Sequence, residues 1–197
     1  MSRLTSPTKD EIAALEPLTR LGLDRIVVVS TRQEADLAFK ALESHSVLGF
    51  DTESKPTFVR DEVSAGPHVV QFSTLHTAYI FQMHDAGCRE AASALLVSLR
   101  ISKVGFGLAG DHVQIMRTLG VRPQNVLDLN EIFRQKGYIK ELGVRGAVAV
   151  VFNRRFLKSK KATTSNWSNR QLTESQIIYS ANDAWAAIKV FDALGTK

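Results

Sequence analysis

The chain has 197 residues, 44% of them hydrophobic and 23% charged, with a net charge of +5, which is the size of one domain with a core of ordinary proportions. A single cysteine, Cys88, excludes an internal disulfide and a cysteine-built zinc site, and it is expected to behave as a small buried hydrophobe. No apolar run approaches the about 20 residues that span a bilayer, and the N-terminal stretch MSRLTSPTKDEIAALEPL has no apolar signal core, so no membrane contact is expected and the expected compartment is the cytoplasm.

In chain order, Thr8-Lys9-Asp10-Glu11 forms a capping box ahead of a short helix that Pro17 ends or bends. Residues 1–24 read as an N-terminal helical extension and residues 25–197 as the main domain. Ile26 to Val29 is a β-branched run, predicted as a buried strand. Thr31 with Glu34 opens a helix that ends near Ser44, and Val47 to Glu53 is the next strand. A loop with Pro56 and Gly66-Pro67 leads to two further strands, Val69 to Phe72 and Ala78 to Phe81, joined by a turn at Thr74 to Thr77. These three successive strands predict an antiparallel start to a sheet. Helix (about Arg89 to Leu99), strand (Lys103 to Phe106), helix (Asp111 to Leu119) and strand (Val126 to Leu129) then alternate, which predicts a parallel continuation flanked by helices. The last third is mainly helical and ends in a long helix from Glu174 to about Leu194, capped by Thr173 and Gln176. The fold class is therefore α/β with a mixed sheet.

Three groups of acids carry the chemical signal. Asp51 and Glu53 are at i and i+2 of a strand and so share one face. They end the strand, where sheet proteins commonly place ligands, and paired carboxylates with only oxygen donors suit Mg²⁺ or Mn²⁺. Asp111 follows a strand and a glycine-rich turn, a position that helix capping alone could also explain. Tyr179 and Asp183 stand at i and i+4 of the final helix, beside an apolar stripe of Ile178, Ala181, Trp185 and Ile188. A charge there is costly without a partner.

Taken in order, the D-x-E after an apolar strand, the Asp after a Gly turn and the Y-x-x-x-D in the last helix resemble the motifs of the DEDD exonuclease superfamily, with the tyrosine of its DEDDy branch. Phe50 to Pro56, Gly107 to Asp111, and Ser165-Asn166-Trp167-Ser168 ahead of Leu172-Thr173 add to the likeness, which runs from about Ile26 to Leu194. The sequence most resembles the Werner syndrome exonuclease domain and its stand-alone bacterial relatives. That resemblance implies an RNase H-like sheet and a 3′–5′ exonuclease using two divalent ions, Mg²⁺ or Mn²⁺. It implies that Asp51, Glu53 and Asp183 hold one ion, that Asp51 and Asp111 hold the second, and that Tyr179 orients the attacking water. Nucleoside 5′-monophosphates would be the products. DNA with a free 3′ end is the expected partner, acted on in repair or end processing. The alternative is an RNase D-like exoribonuclease, which the chain length disfavours because RNase D carries extra helical domains. A non-catalytic nucleic-acid-binding module is a third reading.

Substrate contacts are expected from Lys55 and Phe58, where Lys55 replaces an aromatic residue common in Werner-type sequences. Between Glu141 and Glu174 lie seven basic residues and no acid. The stretch is expected to lie beside the catalytic cleft, with Lys158, Lys160 and Lys161 gripping the phosphate backbone upstream of the scissile bond and not placed on the reacting phosphate. Trp167 is expected to be structural, and the histidines show no ligand spacing.

Overall fold

The computed structural model describes residues 3–57 and 62–195. In chain order its elements are α1 (Lys9–Ala14), β1 (Ile26–Val29), α2 (Arg32–Leu42), β2 (Val47–Glu53), β3 (Val69–Ser73), β4 (Ala78–Gln82), α3 (Ala86–Val97) and β5 (Ser102–Gly105). They continue with α4 (Ala109–Leu119), β6 (Val126–Asp128), α5 (Leu129–Gln135), α6 (Gly143–Phe152), α7 (Lys160–Thr163) and α8 (Glu174–Ala193). All three capping boxes read from the sequence form: Thr8 with Glu11, Thr31 with Glu34, and Thr173 with Gln176. Two helices begin earlier than their apolar periodicity suggests. Asp85 caps α3 by accepting from the Cys88 amide at 3.0 Å, and α4 starts at Ala109, which leaves Asp111 inside its first turn rather than at its cap.

The strands form one sheet in the order β1-β4-β3-β2-β5-β6. β2, β3 and β4 run antiparallel in succession, while β5 pairs parallel with β2 and β6 parallel with β5. β1 closes the other edge, parallel to β4. The mixed sheet is the one the sequence predicts, and its consequence for function is that β2 lies in the interior, between β3 and β5.

Each face of β2 serves a different layer. Leu48 and Phe50 pack with Phe72, Phe81, Leu95 and Ile115 on the α2, α3 and α4 side. Val47 packs on the opposite side with Ala181, Trp185 and Ile188 of α8. Alternation along the strand then puts Gly49, Asp51 and Glu53 on the α8 face. Gly49 decides how close α8 can come. A Cβ at this position would lie 2.0 Å from the carbonyl oxygen of Ala184 and 2.9 Å from its carbon, so helix and strand meet backbone to backbone. Ala181, Ala184 and Ala187 continue this flat surface and are fully buried or nearly so.

The N-terminal segment is tied to the same helix. The Leu21 amide donates to Asn182 Oδ1 at 2.8 Å and the Asn182 side-chain amide donates back to the Leu21 carbonyl at 3.2 Å. Farther out, Leu18 N donates to the Arg155 carbonyl and Arg155 N to that of Glu16. Among the described residues of this segment only Lys9–Ala14 is α-helical, and Leu15, which ends it, is extended.

Replacing Gly49 by alanine should lower stability by roughly 1–3 kcal/mol, the usual cost of overpacking a close contact. The obstacle is backbone, which cannot rotate away. A urea midpoint for Gly49→Ala equal to that of the wild type would show that α8 can retreat without cost.

Candidate active site

The close contact at Gly49 brings the end of β2 beside the middle of α8. Asp51, Glu53 and Asp183 each offer a carboxylate oxygen to one cluster whose atoms all lie within 4.8 Å of one another. Asp183 is only 4% exposed. Neither of its oxygens accepts a hydrogen bond of ordinary geometry, and Oδ2 instead faces Lys158 Nζ at 2.8 Å. Asp51 Oδ1 accepts from the Thr52 amide at 2.9 Å. Asp111 stands outside this trio, on α4, where its Oδ1 accepts from the Thr52 hydroxyl. It is close enough for its charge to act on Asp51.

Burial and mutual repulsion dominate the electrostatics. Burial pushes the Asp51 carboxyl well above the usual carboxylate range, and the charges of Asp183 and Asp111 push it further. Glu53 rises to about 10, through burial first and then the charges of Asp51 and Asp183. Burial also raises Asp111 and Asp183, the latter against the pull of the Lys158 ammonium. Two like charges 4.8 Å apart repel by about 3.5 kcal/mol at an effective dielectric constant of about 20. Three such pairs approach the whole stability of a typical domain, about 5–15 kcal/mol. Full ionisation of the cluster therefore calls for more positive charge than one lysine carries. An all-carboxylate set with unpartnered buried oxygens fits a hard divalent cation of the Mg²⁺ or Mn²⁺ kind.

Tyr179 lies one helical turn before Asp183 and is 7% exposed. The Thr163 hydroxyl donates to its oxygen at 3.1 Å, and the Trp167 ring packs 5.9 Å from it, centroid to centroid. Burial, then the charges of Asp183 and Glu53, raise the phenol above its ordinary value, so it stays protonated and can donate. Trp167 is 1% exposed and has the structural role expected of it. Cys88 is likewise buried in the core, its thiol pushed up to about 12 by burial.

A cavity of about 220 Å³ opens directly on the cluster, lined by Asp51, Asp183, Lys158, Phe106, Asn130 and Gly143 among others. Asn130 shapes its wall by accepting from the Gly143 amide at 3.1 Å.

The remaining expected substrate contacts separate. Lys158 lies beside the carboxylate cluster, as expected of this stretch. It reaches the catalytic cleft itself, at Asp183 and 5.2 Å from the centroid of the Tyr179 ring. The reason is local: Arg145 donates to the Lys158 carbonyl at 3.1 Å, and the next residue, Ser159, caps α7. Lys160 and Lys161 on α7 are exposed, as is Lys55 just beyond β2, whose amide donates to His68 Nδ1 at 3.2 Å. Phe58 lies outside the described residues. Sequence reasoning missed Thr52, Thr163 and Gly49. Of these only Gly49 left a signal, since a glycine inside a strand often marks a close backbone approach.

A six-stranded mixed sheet with carboxylates at the end of an interior strand and a further carboxylate on the last helix is an RNase H-like fold. The sequence profile of the 3′–5′ exonuclease family matches residues 26–197, and the chain belongs to that family. It is 29% identical over 156 residues to the mouse (Mus musculus) bifunctional 3′–5′ exonuclease/ATP-dependent helicase WRN, covering 78% of this chain and 11% of that protein. It is 27% identical over 171 residues to a 3′–5′ exonuclease of Arabidopsis thaliana, covering 85% of this chain and 56% of the relative. The chain thus spans about half or less of the length of these relatives. Its fold superposes on Trypanosoma brucei RNase D in complex with RNA U12, with a TM-score of 0.77 at 19% identity, over 95% of this chain and 65% of that one.

The raised Glu53 carboxyl sets a pH dependence. Between its ordinary value of 4.5 and about 10 the folded chain holds a proton that the unfolded chain has released, so this contribution to stability is lost as pH rises. In EDTA the melting temperature should therefore fall more steeply from about pH 6 to about pH 9 in the wild type than in Glu53→Gln. Identical slopes would mean that Glu53 is ionised in the folded protein.

Proposed function

We propose that this protein is a two-metal-ion 3′–5′ exonuclease that hydrolyses the terminal phosphodiester bond of DNA and releases nucleoside 5′-monophosphates. The observation that carries the reading is the trio of Asp51, Glu53 and Asp183 within 4.8 Å, at the mouth of a cavity, in a chain of this family. When bound, two divalent ions of the Mg²⁺ or Mn²⁺ class would supply an activated water and neutralise charge at the reacting phosphate. Asp51, Glu53 and Asp183 would hold one, and Asp51 together with Asp111 the other.

The chain's own groups do the rest. Tyr179, fixed between Thr163 and Trp167 and close enough to act on the Asp183 carboxyl, would orient the attacking water, while its raised pKa makes it a poor base. Among the described residues Lys158 offers the one ammonium that touches the carboxylate cluster. In the working site it counters the negative charge that builds on the phosphate. The cavity wall at Phe106, Gly107 and Val144 is apolar or backbone and suits the sugar and base of the terminal nucleotide.

DNA is proposed on the Werner-type motif resemblance and on the higher sequence identity to the WRN protein than to RNase D. An RNA substrate is the second reading, favoured by the fold likeness to an RNase D solved with RNA. Strands of each kind, labelled at the 5′ or the 3′ end, separate the two. The proposal expects labelled mononucleotide from the 3′ end at first turnover, with DNA outpacing RNA. Internal cleavage, or release from the 5′ end, would contradict it.

Chelation with EDTA should abolish this activity, and Mg²⁺ or Mn²⁺ should restore it. Activity that survives chelation would sink the metal reading. Among variants, Asp51→Ala and Asp183→Ala should lose essentially all turnover, and Tyr179→Phe about 10²–10⁴-fold, the usual contribution of a positioning group. Lys158→Met should lower kcat as well as weaken binding. A Lys158→Met enzyme with wild-type kcat at saturating substrate would confine Lys158 to gripping the phosphate backbone.

A further inference from the structure

Three hollows run in series from the carboxylate cluster. The active-site cavity includes Gly143, Val144 and Lys158 in its wall. The same three residues line a second hollow of about 380 Å³, together with Arg145 and Lys160. Arg145 and Lys158 recur in a third, of about 400 Å³, whose far wall is the N-terminal helix α1 with Lys9, Ile12 and Ala13. Lys158 borders all three, so they adjoin one another around its side chain and together make an interrupted groove.

The groove is basic at its rim and apolar on its floor. Lys9, Arg145, Arg155, Lys158 and Lys160 line the second and third hollows, and no acidic residue does. Apart from Lys158 with Asp183, none of these cations forms an ion pair among the described residues. Arg155 donates to the Ala13 carbonyl at 2.8 Å, which anchors α1, yet its buried Nε has no hydrogen-bond partner. Ile12, Phe156 and Leu157 provide the apolar floor, and Leu157 is 45% exposed despite its size. Unpaired cations over exposed apolar surface match a single nucleic-acid strand, whose phosphates seek the rim and whose bases seek the floor.

We propose that this groove binds the strand upstream of the scissile bond, and that α1 of the N-terminal segment is part of the nucleic-acid interface through Lys9. The inference rests on the exonuclease reading for its direction, since the strand must leave the catalytic cavity and the groove is the basic exit from it. It gives the N-terminal segment a function outside the residues that the family profile covers, which begin at residue 26. A dinucleotide has no phosphate beyond the scissile one and so places none against Lys9 in the third hollow. A strand of about a dozen nucleotides can.

The test compares the full chain with Lys9→Glu and Lys9→Ala on a dinucleotide and on a 12-nucleotide single strand, with Mg²⁺ present. Lys9 is exposed and its side chain makes no hydrogen bond among the described residues, so both variants should keep the wild-type melting temperature. For the long strand, Lys9→Glu should raise KM about fivefold or more, with Lys9→Ala in between. The salt dependence of log affinity should become shallower by about 0.7 for each phosphate that the protein no longer neutralises. On the dinucleotide, kcat/KM should stay within about twofold of wild type. An unchanged KM and salt slope on the long strand, or an equal loss on both substrates, would overturn the groove while leaving the exonuclease reading intact. A wild-type protein that cleaves neither substrate would overturn both.

Discussion

Asp183 can stand beside Asp51 only because helix α8 lies on strand β2 with nothing between the two backbones. Gly49 makes that contact, two residues before Asp51 on the same face, where a single methyl group would sit 2.0 Å from a helix carbonyl. Alanines at 181, 184 and 187 extend the flat contact along α8. The strand and helix that carry these acids thus meet backbone to backbone, and errors of about 1 Å in a catalytic constellation cost large factors in rate. A strand in the interior of the sheet is the natural carrier, since neighbours on both sides fix its register.

The same contact creates an electrostatic problem that defines the site. Three carboxylates share a small volume and a fourth, Asp111, is within reach of their charge. The fold relieves this only in part, with one ammonium from Lys158 and amide and hydroxyl donors from Thr52. What remains is a deficit of positive charge in front of a cavity of nucleotide-fragment size. Such a deficit is costly for a structural protein and useful for one that recruits hard cations and a phosphate together.

Much of this arrangement could be read from the residues. Capping boxes at Thr8, Thr31 and Thr173 located three helix starts because a cap is a local event, complete within four residues. The i, i+2 spacing of Asp51 and Glu53 and the i, i+4 spacing of Tyr179 and Asp183 placed the acids on the right faces for the same reason. Contacts between distant segments were not legible. Pairing of Thr52 with Asp111, of Thr163 with Tyr179 and of Asn182 with Leu21 depends on how whole elements pack. Lys158 is the instructive case. Its neighbours Lys160 and Lys161 share its charge and sit in the open, while Lys158 turns into the cleft because Arg145 holds its backbone. Charge counting treats the three alike, and only packing separates them.

The Gly49 contact with α8 gathers Asp51, Glu53 and Asp183 into one cluster, and the proposed function needs that cluster, with Asp111 of α4 beside it, to take up divalent cations. Counting bound Mn²⁺ by electron paramagnetic resonance during a titration of the chelator-stripped protein tests this most directly. The wild-type chain should bind two ions, Asp111→Asn one and Asp51→Asn none tightly, because Asp51 would serve both positions. Saturable binding that survives Asp51→Asn, or no saturable binding by the wild type, would contradict it.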